Sequence, residues 1–150
     1  MTGPVFVDTN VLVYDRDQRD VAKHRRAREW MTALWQQPGL GVLSGQVLSE
    51  FHWTVTRKLK PGLDDEQARR YVRTLFAWTF VAVDQAAIGT AWSVQDQYGF
   101  SFWDALIVAT ARLAGCRVLL TEDLKDEQNL GGLLVVNPFN RPPELFTTPG

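Results

Sequence analysis

An α/β domain around a mainly parallel sheet, with helices on both faces, is the fold class that this chain of 150 residues predicts. Three observations point to it. Short apolar, β-branched runs alternate with longer segments of helical periodicity. Most of those segments open on Asp or Ser, residues that cap helices. The length, with 45% hydrophobic and 22% charged residues, suits one globular domain over 1–150.

Taken in order, Pro4-Val-Phe-Val-Asp8 reads as a strand. Asp20 caps a helix running to about Gln37, with Ala27, Trp30, Met31, Leu34 and Trp35 at helical spacing on one face. Pro38-Gly39 ends it. Leu40 to Leu43 is a second strand, and Ser44 caps a helix to about Lys58, stopped by Pro61-Gly62. Asp64 with Gln67 forms a capping box for a third helix, with Ala68, Tyr71, Val72 and Leu75 inward. Phe80 to Val83 is a strand, and Asp84 caps a helix to about Tyr98. Ser101 opens the next helix, closed by Gly115, and Arg117 to Thr121 and Leu133 to Val136 are the last strands. The core then spans about residues 4–138, and a proline-rich tail over 139–150 is expected to be irregular.

Composition excludes several function classes. No apolar stretch approaches the ~20 residues of a membrane span, and no secretory signal opens the chain. The single cysteine, Cys116, rules out an intramolecular disulfide framework and a Cys-rich zinc site, and implies a cytoplasmic protein. His24 and His52 both fall mid-helix without zinc-motif spacing, and no Gly-rich phosphate loop is present. The net charge of −1 argues against a generally cationic nucleic-acid binder. The cations are nevertheless segregated, at Arg16 to Arg28, at Arg57 to Lys60 and at Arg69 to Arg73. These groups read either as patches for RNA phosphates or as solvated helix faces.

In a parallel α/β sheet ligands bind beyond the carboxyl ends of the strands, and acids gather there. Asp8 ends the first strand between two apolar runs, where a carboxylate needs a partner, a proton or a metal; an Asx-turn is the alternative. Asp104 is the only charged residue between Phe102 and Ala111 of a helix apolar nearly all round. Its place three residues after Ser101 also suits a capping box, and a capped acid can still bind a metal. Glu50 lies at the margin of the stripe Val47, Leu48, Phe51 and Val55, where it is a site acid or a rim residue in an ion pair. Thr121-Glu122-Asp123 follows another strand, and Asp126 and Glu127 read as a solvated loop. Carboxylates drawn to one rim repel one another, and a divalent cation resolves the conflict. All-oxygen ligands suit Mg²⁺ or Mn²⁺.

Four segments resemble the motifs of PIN domains, in order and in spacing: Val5-Phe-Val-Asp-Thr-Asn-Val-Leu-Val-Tyr14, Ser44-Gly-Gln-Val-Leu-Ser-Glu50-Phe, Ser101-Phe-Trp-Asp104-Ala-Leu-Ile-Val-Ala-Thr-Ala, and Leu119-Leu-Thr-Glu-Asp123-Leu. At this length the chain is most similar to VapC-type toxins of prokaryotic toxin–antitoxin pairs. The resemblance implies a three-layer PIN-like fold and a Mg²⁺- or Mn²⁺-dependent endoribonuclease acting on structured RNA. It implies Asp8 and Asp104 as metal ligands, Glu50 and Asp123 completing the catalytic acids, and Asn10, Ser101 and Thr121 orienting them. For the fourth acid Glu122, Asp123 and Asp126 all lie within reach, and Asp123 matches best. The resemblance also implies a small antitoxin partner, and a homodimer is expected beside it. The six tryptophans suit such interfaces, and the expected docking surface lies around Trp53, Leu59 and Tyr71. Three other readings stay open: a housekeeping PIN ribonuclease, a small-molecule phosphohydrolase of the haloacid-dehalogenase type, and an inactive PIN binding module. Asn10, where the dehalogenase pattern has a second Asp, counts against the phosphohydrolase, and the presence of all four acids against the inactive module.

Overall fold

The computed structural model describes residues 3–147. Its sheet has six strands in the order β3-β2-β1-β4-β6-β5: β1 (Val5–Val7), β2 (Gly41–Ser44), β3 (Thr79–Val81), β4 (Val118–Leu120), β5 (Asn129–Leu130) and β6 (Leu133–Val136). The pairs β1–β2, β1–β4, β2–β3 and β4–β6 are parallel, and the short β5 runs antiparallel to β6. The helices are α1 (Thr9–Arg16), α2 (Val21–Trp35), α3 (Gly45–Trp53), α4 (Asp65–Leu75), α5 (Gln85–Tyr98), α6 (Phe102–Leu113) and α7 (Glu144–Thr147). They complete the expected three-layer α/β architecture. Within it α1 packs against α2 and α3, and α5 along α6.

The expected caps form. Asp20, Ser44, Asp84 and Ser101 accept from backbone N–H groups of their helices, and Asp64 with Gln67 makes the full capping box. The central strands are buried on both faces, as parallel strands are. Gly41 has a packing reason: a Cβ there would stand 2.3 Å from the Trp78 ring.

Five local features depart from the sequence reading. The run after Asp8 forms α1, with Asp8 as its N-cap and Val11, Leu12 and Val13 buried; its β-branched residues concealed a helix that packing imposes. The helix begun at Ser44 changes to a π-helical turn over Thr54–Lys58, where Leu59 N reaches back to Thr54 O. Strand β5 is too short for any period to reveal it. Trp35, expected inward, ends α2 43% exposed and packs edge-on to Trp78 at 5.4 Å.

The tail is the fifth. It is not irregular throughout: Pro143 O starts α7 by accepting from Phe146 N and Thr147 N, and Phe146 stacks on Trp30 at 5.9 Å. The Trp30 indole N–H donates to Pro138 O and Arg141 O, which ties the segment to α2. The tail's remaining residues, 148–150, lie outside the described residues. Only Trp30 and Trp78 of the tryptophans are buried; Trp35, Trp53, Trp92 and Trp103 are exposed.

Candidate active site

The crossover after β3 places β4 on the far side of β1 from β2. The chain therefore reverses its winding between β1 and β4, the position where an open α/β sheet leaves a crevice at its carboxyl edge. Asp8 leaves β1 there and Thr121 leaves β4. The Thr121 hydroxyl donates to Asp8 Oδ2 at 2.7 Å, and Thr9 N donates to Oδ1 at 2.7 Å. Asp8 is only 6% exposed. Burial pushes its carboxyl up to about 7, reinforced by the charges of Asp123 and Glu50 and opposed by the bonds from Thr121 and Thr9.

Asn10, in the first turn of α1, gathers the other strand end. Its Nδ2 lies 3.2 Å from Asp123 Oδ2, 3.3 Å from Thr121 Oγ1 and 3.5 Å from Asp8 Oδ2. Asp123 N donates to Thr121 Oγ1 at 3.0 Å, so Thr121 holds both acids of its neighbourhood. Glu50 comes in from α3. Thr9 Oγ1 donates to its Oε2 and Gln46 Nε2 to its Oε1, each at 3.0 Å. Asp104 stands in the first turn of α6, where its backbone N–H donates to the Ser101 hydroxyl at 3.2 Å. Burial raises its carboxyl, and so do the charges of Asp123 and Glu50, against a lowering bond to Ser101. Asp8 and Asp104 thus each lie within reach of the charges of Glu50 and Asp123.

Of the three acids within reach of the fourth motif, Asp123 is the one bonded to Asn10 and Thr121. Glu122 turns away to pair with Lys23 at 2.8 Å. Asp126 accepts from Asn137 N at 2.9 Å and pairs with Arg141, so it braces the loop against the C-terminal segment. Thr9 and Gln46 are the site residues that the sequence reading missed. The i, i+4 spacing of Gln46 and Glu50 is the signal that marked Gln46, whereas Thr9 reaches Glu50 only through the tertiary fold.

The donors are all oxygen, a set suited to a hard divalent cation. Among the described residues no three His, Cys, Asp or Glu side chains form a ready-made metal cage. A Mg²⁺ ion, which keeps several waters and takes one or two carboxylates, needs none. Asn10 Oδ1 adds a buried oxygen with no hydrogen-bond partner. The raised carboxyls of Asp8 and Asp104 are those of acids short of positive charge. These residues fit such an ion.

The basic stretch early in the chain is largely used within the fold. Arg19 pairs with Asp17, Lys23 with Glu122, Arg26 with Glu29 and Arg28 with Asp15. Arg25, Lys58, Lys60, Arg69 and Arg70 make no ion pair among the described residues. The surface expected around Trp53, Leu59 and Tyr71 is also divided. Trp53 flanks a cavity with Lys58, and Leu59 lines a different one with Arg16 and Arg19. Tyr71 gives its hydroxyl to buried Asp15 at 2.6 Å.

The sequence pattern of the PIN domain family matches residues 5–127, most of the chain. The chain belongs to the PIN domain family. This agrees with the four-motif resemblance, and in this PIN domain the motif acids Asp8 and Asp104 each lie within reach of the charges of Glu50 and Asp123. No curated protein matches it by sequence. Among solved structures it is similar in fold to a toxin–antitoxin complex from Klebsiella pneumoniae, at 24% identity over 89% of this chain and 97% of that one, with a TM-score of 0.64. It is similar to the VapC20 toxin of Mycobacterium tuberculosis, described as cleaving the sarcin-ricin loop, at 24% identity over 79% and 91% with a TM-score of 0.62. It is also similar to VapBC2 of Rickettsia felis bound to a DNA fragment from its promoter, at 18% identity over 90% and 97% with a TM-score of 0.61. At these identities the likeness is one of fold.

Proposed function

We propose that this PIN domain is a Mg²⁺- or Mn²⁺-dependent endoribonuclease, the toxin of a VapBC-type toxin–antitoxin pair acting in the cytoplasm. The observation that supports the reading is the linkage of Asp8, Glu50 and Asp123 through Thr9, Asn10 and Thr121 at the β1–β4 crevice, with Asp104 within reach of the charges of Glu50 and Asp123. Asp8 and Asp104 are the metal ligands. When bound, the ion supplies a water acidic enough to attack a phosphodiester and charge to stabilise the transition state.

The chain's own groups do the rest. Thr121, Thr9 N and Asn10 hold Asp8 and favour its ionised form. Thr9 and Gln46 fix both oxygens of Glu50, and Asn10 fixes Asp123. These two acids orient the attacking water; one of them takes its proton, and the 3′ oxygen, as its bond to phosphorus breaks, takes a proton from solvent. Ser101 sets Asp104 at the N-terminus of α6. Hydrolysis leaves a 5′ phosphate and a 3′ hydroxyl and makes no use of the RNA 2′-hydroxyl. That accords with the histidines: His24 has Nδ1 2.8 Å from Tyr14 O, and His52 lines a cavity with Trp53, Phe76 and Phe80.

The antitoxin reading draws on the fold neighbours described as toxin–antitoxin complexes. A cavity of ≈ 370 Å³ lined by Arg16, Arg19, Val55, Leu59, Pro61 and Leu63 suits the apolar face of an antitoxin helix. An antitoxin Arg or Lys at the carboxylates would then compete with the metal. Pairing of the toxin with itself as a homodimer belongs to the same reading. No helix among the described residues is long and apolar enough to cross a membrane, and no membrane role is proposed.

Purified protein should cut structured RNA with Mg²⁺ or Mn²⁺, stop with chelator, and leave a chromogenic phosphate ester untouched. Expression alone should slow growth, and the adjacent small gene should restore it. Activity on the ester but not on RNA would favour a phosphohydrolase. Activity on RNA with harmless expression would favour a housekeeping ribonuclease.

A further inference from the structure

Two cavities flank the exposed edge of α3. One, of ≈ 560 Å³, is lined by Gln46, Ser49, Glu50, Val83, Trp103 and Leu106 among others. The other, of ≈ 410 Å³, is lined by Thr9, Ser49, Glu50, Trp53, Thr54 and Lys58. Ser49 and Glu50 belong to both, so the two make one track past a candidate catalytic acid. A tryptophan stands on each side, Trp103 at 62% and Trp53 at 58% exposure. Neither indole fills the core.

The chemistry of the track selects its occupant. Gln46 Nε2 donates to Glu50 Oε1 and to the Trp103 carbonyl at 3.2 Å. Those two bonds fix the amide orientation and leave Gln46 Oε1 as a buried acceptor without a partner. The Phe102 and Trp103 rings meet in an edge arrangement at 5.3 Å, and the indole remains largely exposed. Beyond Trp53 stands Lys58, a cation with no ion pair among the described residues. Aromatic platforms joined to a cation are what a single-stranded nucleic acid needs. Splayed, unpaired bases are also the parts of a structured RNA that proteins read.

We propose that this track holds an unpaired segment of the RNA substrate. Trp103 stacks the base beside the scissile phosphate, and Trp53 with Lys58 receives a neighbouring nucleotide. The inference rests on the ribonuclease reading and names the part of the substrate that the site grips. Trp103 is then a substrate-binding residue, outside the bond-breaking chemistry.

The test is fluorescence anisotropy of a short labelled oligoadenylate RNA, with chelator present to prevent cleavage and salt varied. A second oligomer of equal length with abasic positions serves as control. Trp103→Ala should bind oligoadenylate about tenfold more weakly, with the salt slope unchanged, because stacking releases no counterion. Trp103→Phe should recover most of the loss. Lys58→Gln should flatten the salt slope by roughly 0.7. The abasic oligomer should bind wild type weakly and be indifferent to position 103. Sedimentation of Trp103→Ala should give the same mass as wild type. Equal binding of oligoadenylate by wild type and Trp103→Ala, in a wild type that cleaves RNA, would overturn the subsite alone. So would a smaller mass for Trp103→Ala with unchanged RNA binding, which would mark the indole as an interface between copies. A wild type that neither binds nor cleaves RNA would overturn the ribonuclease reading beneath it.

Discussion

The Thr121 hydroxyl donates to Asp8 Oδ2 at 2.7 Å and accepts from Asp123 N at 3.0 Å. One side chain at the end of β4 thus sets the acid that ends β1 and the acid of its own loop. In the absence of positive charge it is the strongest influence favouring ionised Asp8. Thr121→Val keeps the shape and removes this donor. A hydrogen bond to a charged group is worth ~1.5–3 kcal/mol. In chelator the pH at which Asp8 ionises should therefore move up by about 1–2 pH units, as a carboxyl titration followed by NMR would show.

Asp8 makes stability depend on pH with a defined sign. Its carboxyl titrates near 3.8 in the unfolded chain and at about 7 in the folded one. Folding is therefore favoured by its neutral form, fully below pH ~4, and this contribution is lost as pH rises to ~7. The loss is on the order of 4 kcal/mol for full ionisation. Asp8→Asn removes the charge. In chelator it should melt higher than wild type at pH 8 and close to it at pH 4. Added Mn²⁺ should raise the melting temperature of wild type and leave the variant unmoved. Melting curves at the two pH values, with and without metal, check both parts.

Much of this was legible along the chain. Caps are local chemistry, so Asp20, Ser44, Asp64, Asp84 and Ser101 could be placed before any fold was known. Strand ends are local as well, and in a parallel sheet they locate the crevice, so Asp8 and Thr121 could be singled out, while Asp104 stood out as the only charge in an apolar stretch of helix. What stayed hidden depends on tertiary contacts. The apolar run Val11 to Val13 becomes part of helix α1, whose buried side chains pack against α2 and α3. The proline-rich tail gains α7 because Phe146 finds Trp30. Glu122, Asp123 and Asp126 differ only in where the loop aims them, which Lys23, Asn10 and Arg141 decide from distant parts of the chain.

That loop gives a direct comparison between acids. Asp123→Asn should lower RNA cleavage by roughly 10–100-fold, the range for groups that orient a metal site. Asp126→Asn should leave the activity of folded protein unchanged and lower stability by about 1–2 kcal/mol, because Asn137 N and Arg141 lose a charged acceptor. Activity per folded molecule and urea denaturation of both variants would show whether the roles divide this way.

Away from the site, Asp15 is 3% exposed and is satisfied by the Tyr71 hydroxyl at 2.6 Å and by Arg28 Nη1 at 2.9 Å. These bonds tie α4 and α2 to the end of α1. Tyr71→Phe leaves one oxygen of a buried carboxylate short of a donor and should destabilise the fold by ~1.5–3 kcal/mol. Cleavage by the remaining folded protein should be unaffected, as denaturant melts and active-fraction assays would show.

RNA cleavage by wild type and by Asp104→Asn, each with Mn²⁺ and with chelator and with the product ends mapped, tests the acidic crevice most directly. Asp104 carries a charge that the helix does not need, since Ser101 caps α6 through the Asp104 backbone N–H and the variant keeps that bond. Wild type should cut only with metal and leave 5′-phosphate and 3′-hydroxyl ends. The variant should fold normally and lose cleavage by about a hundredfold or more. Wild-type cleavage by folded Asp104→Asn, or equal cleavage in chelator, would contradict the assignment of this acidic crevice as the active site.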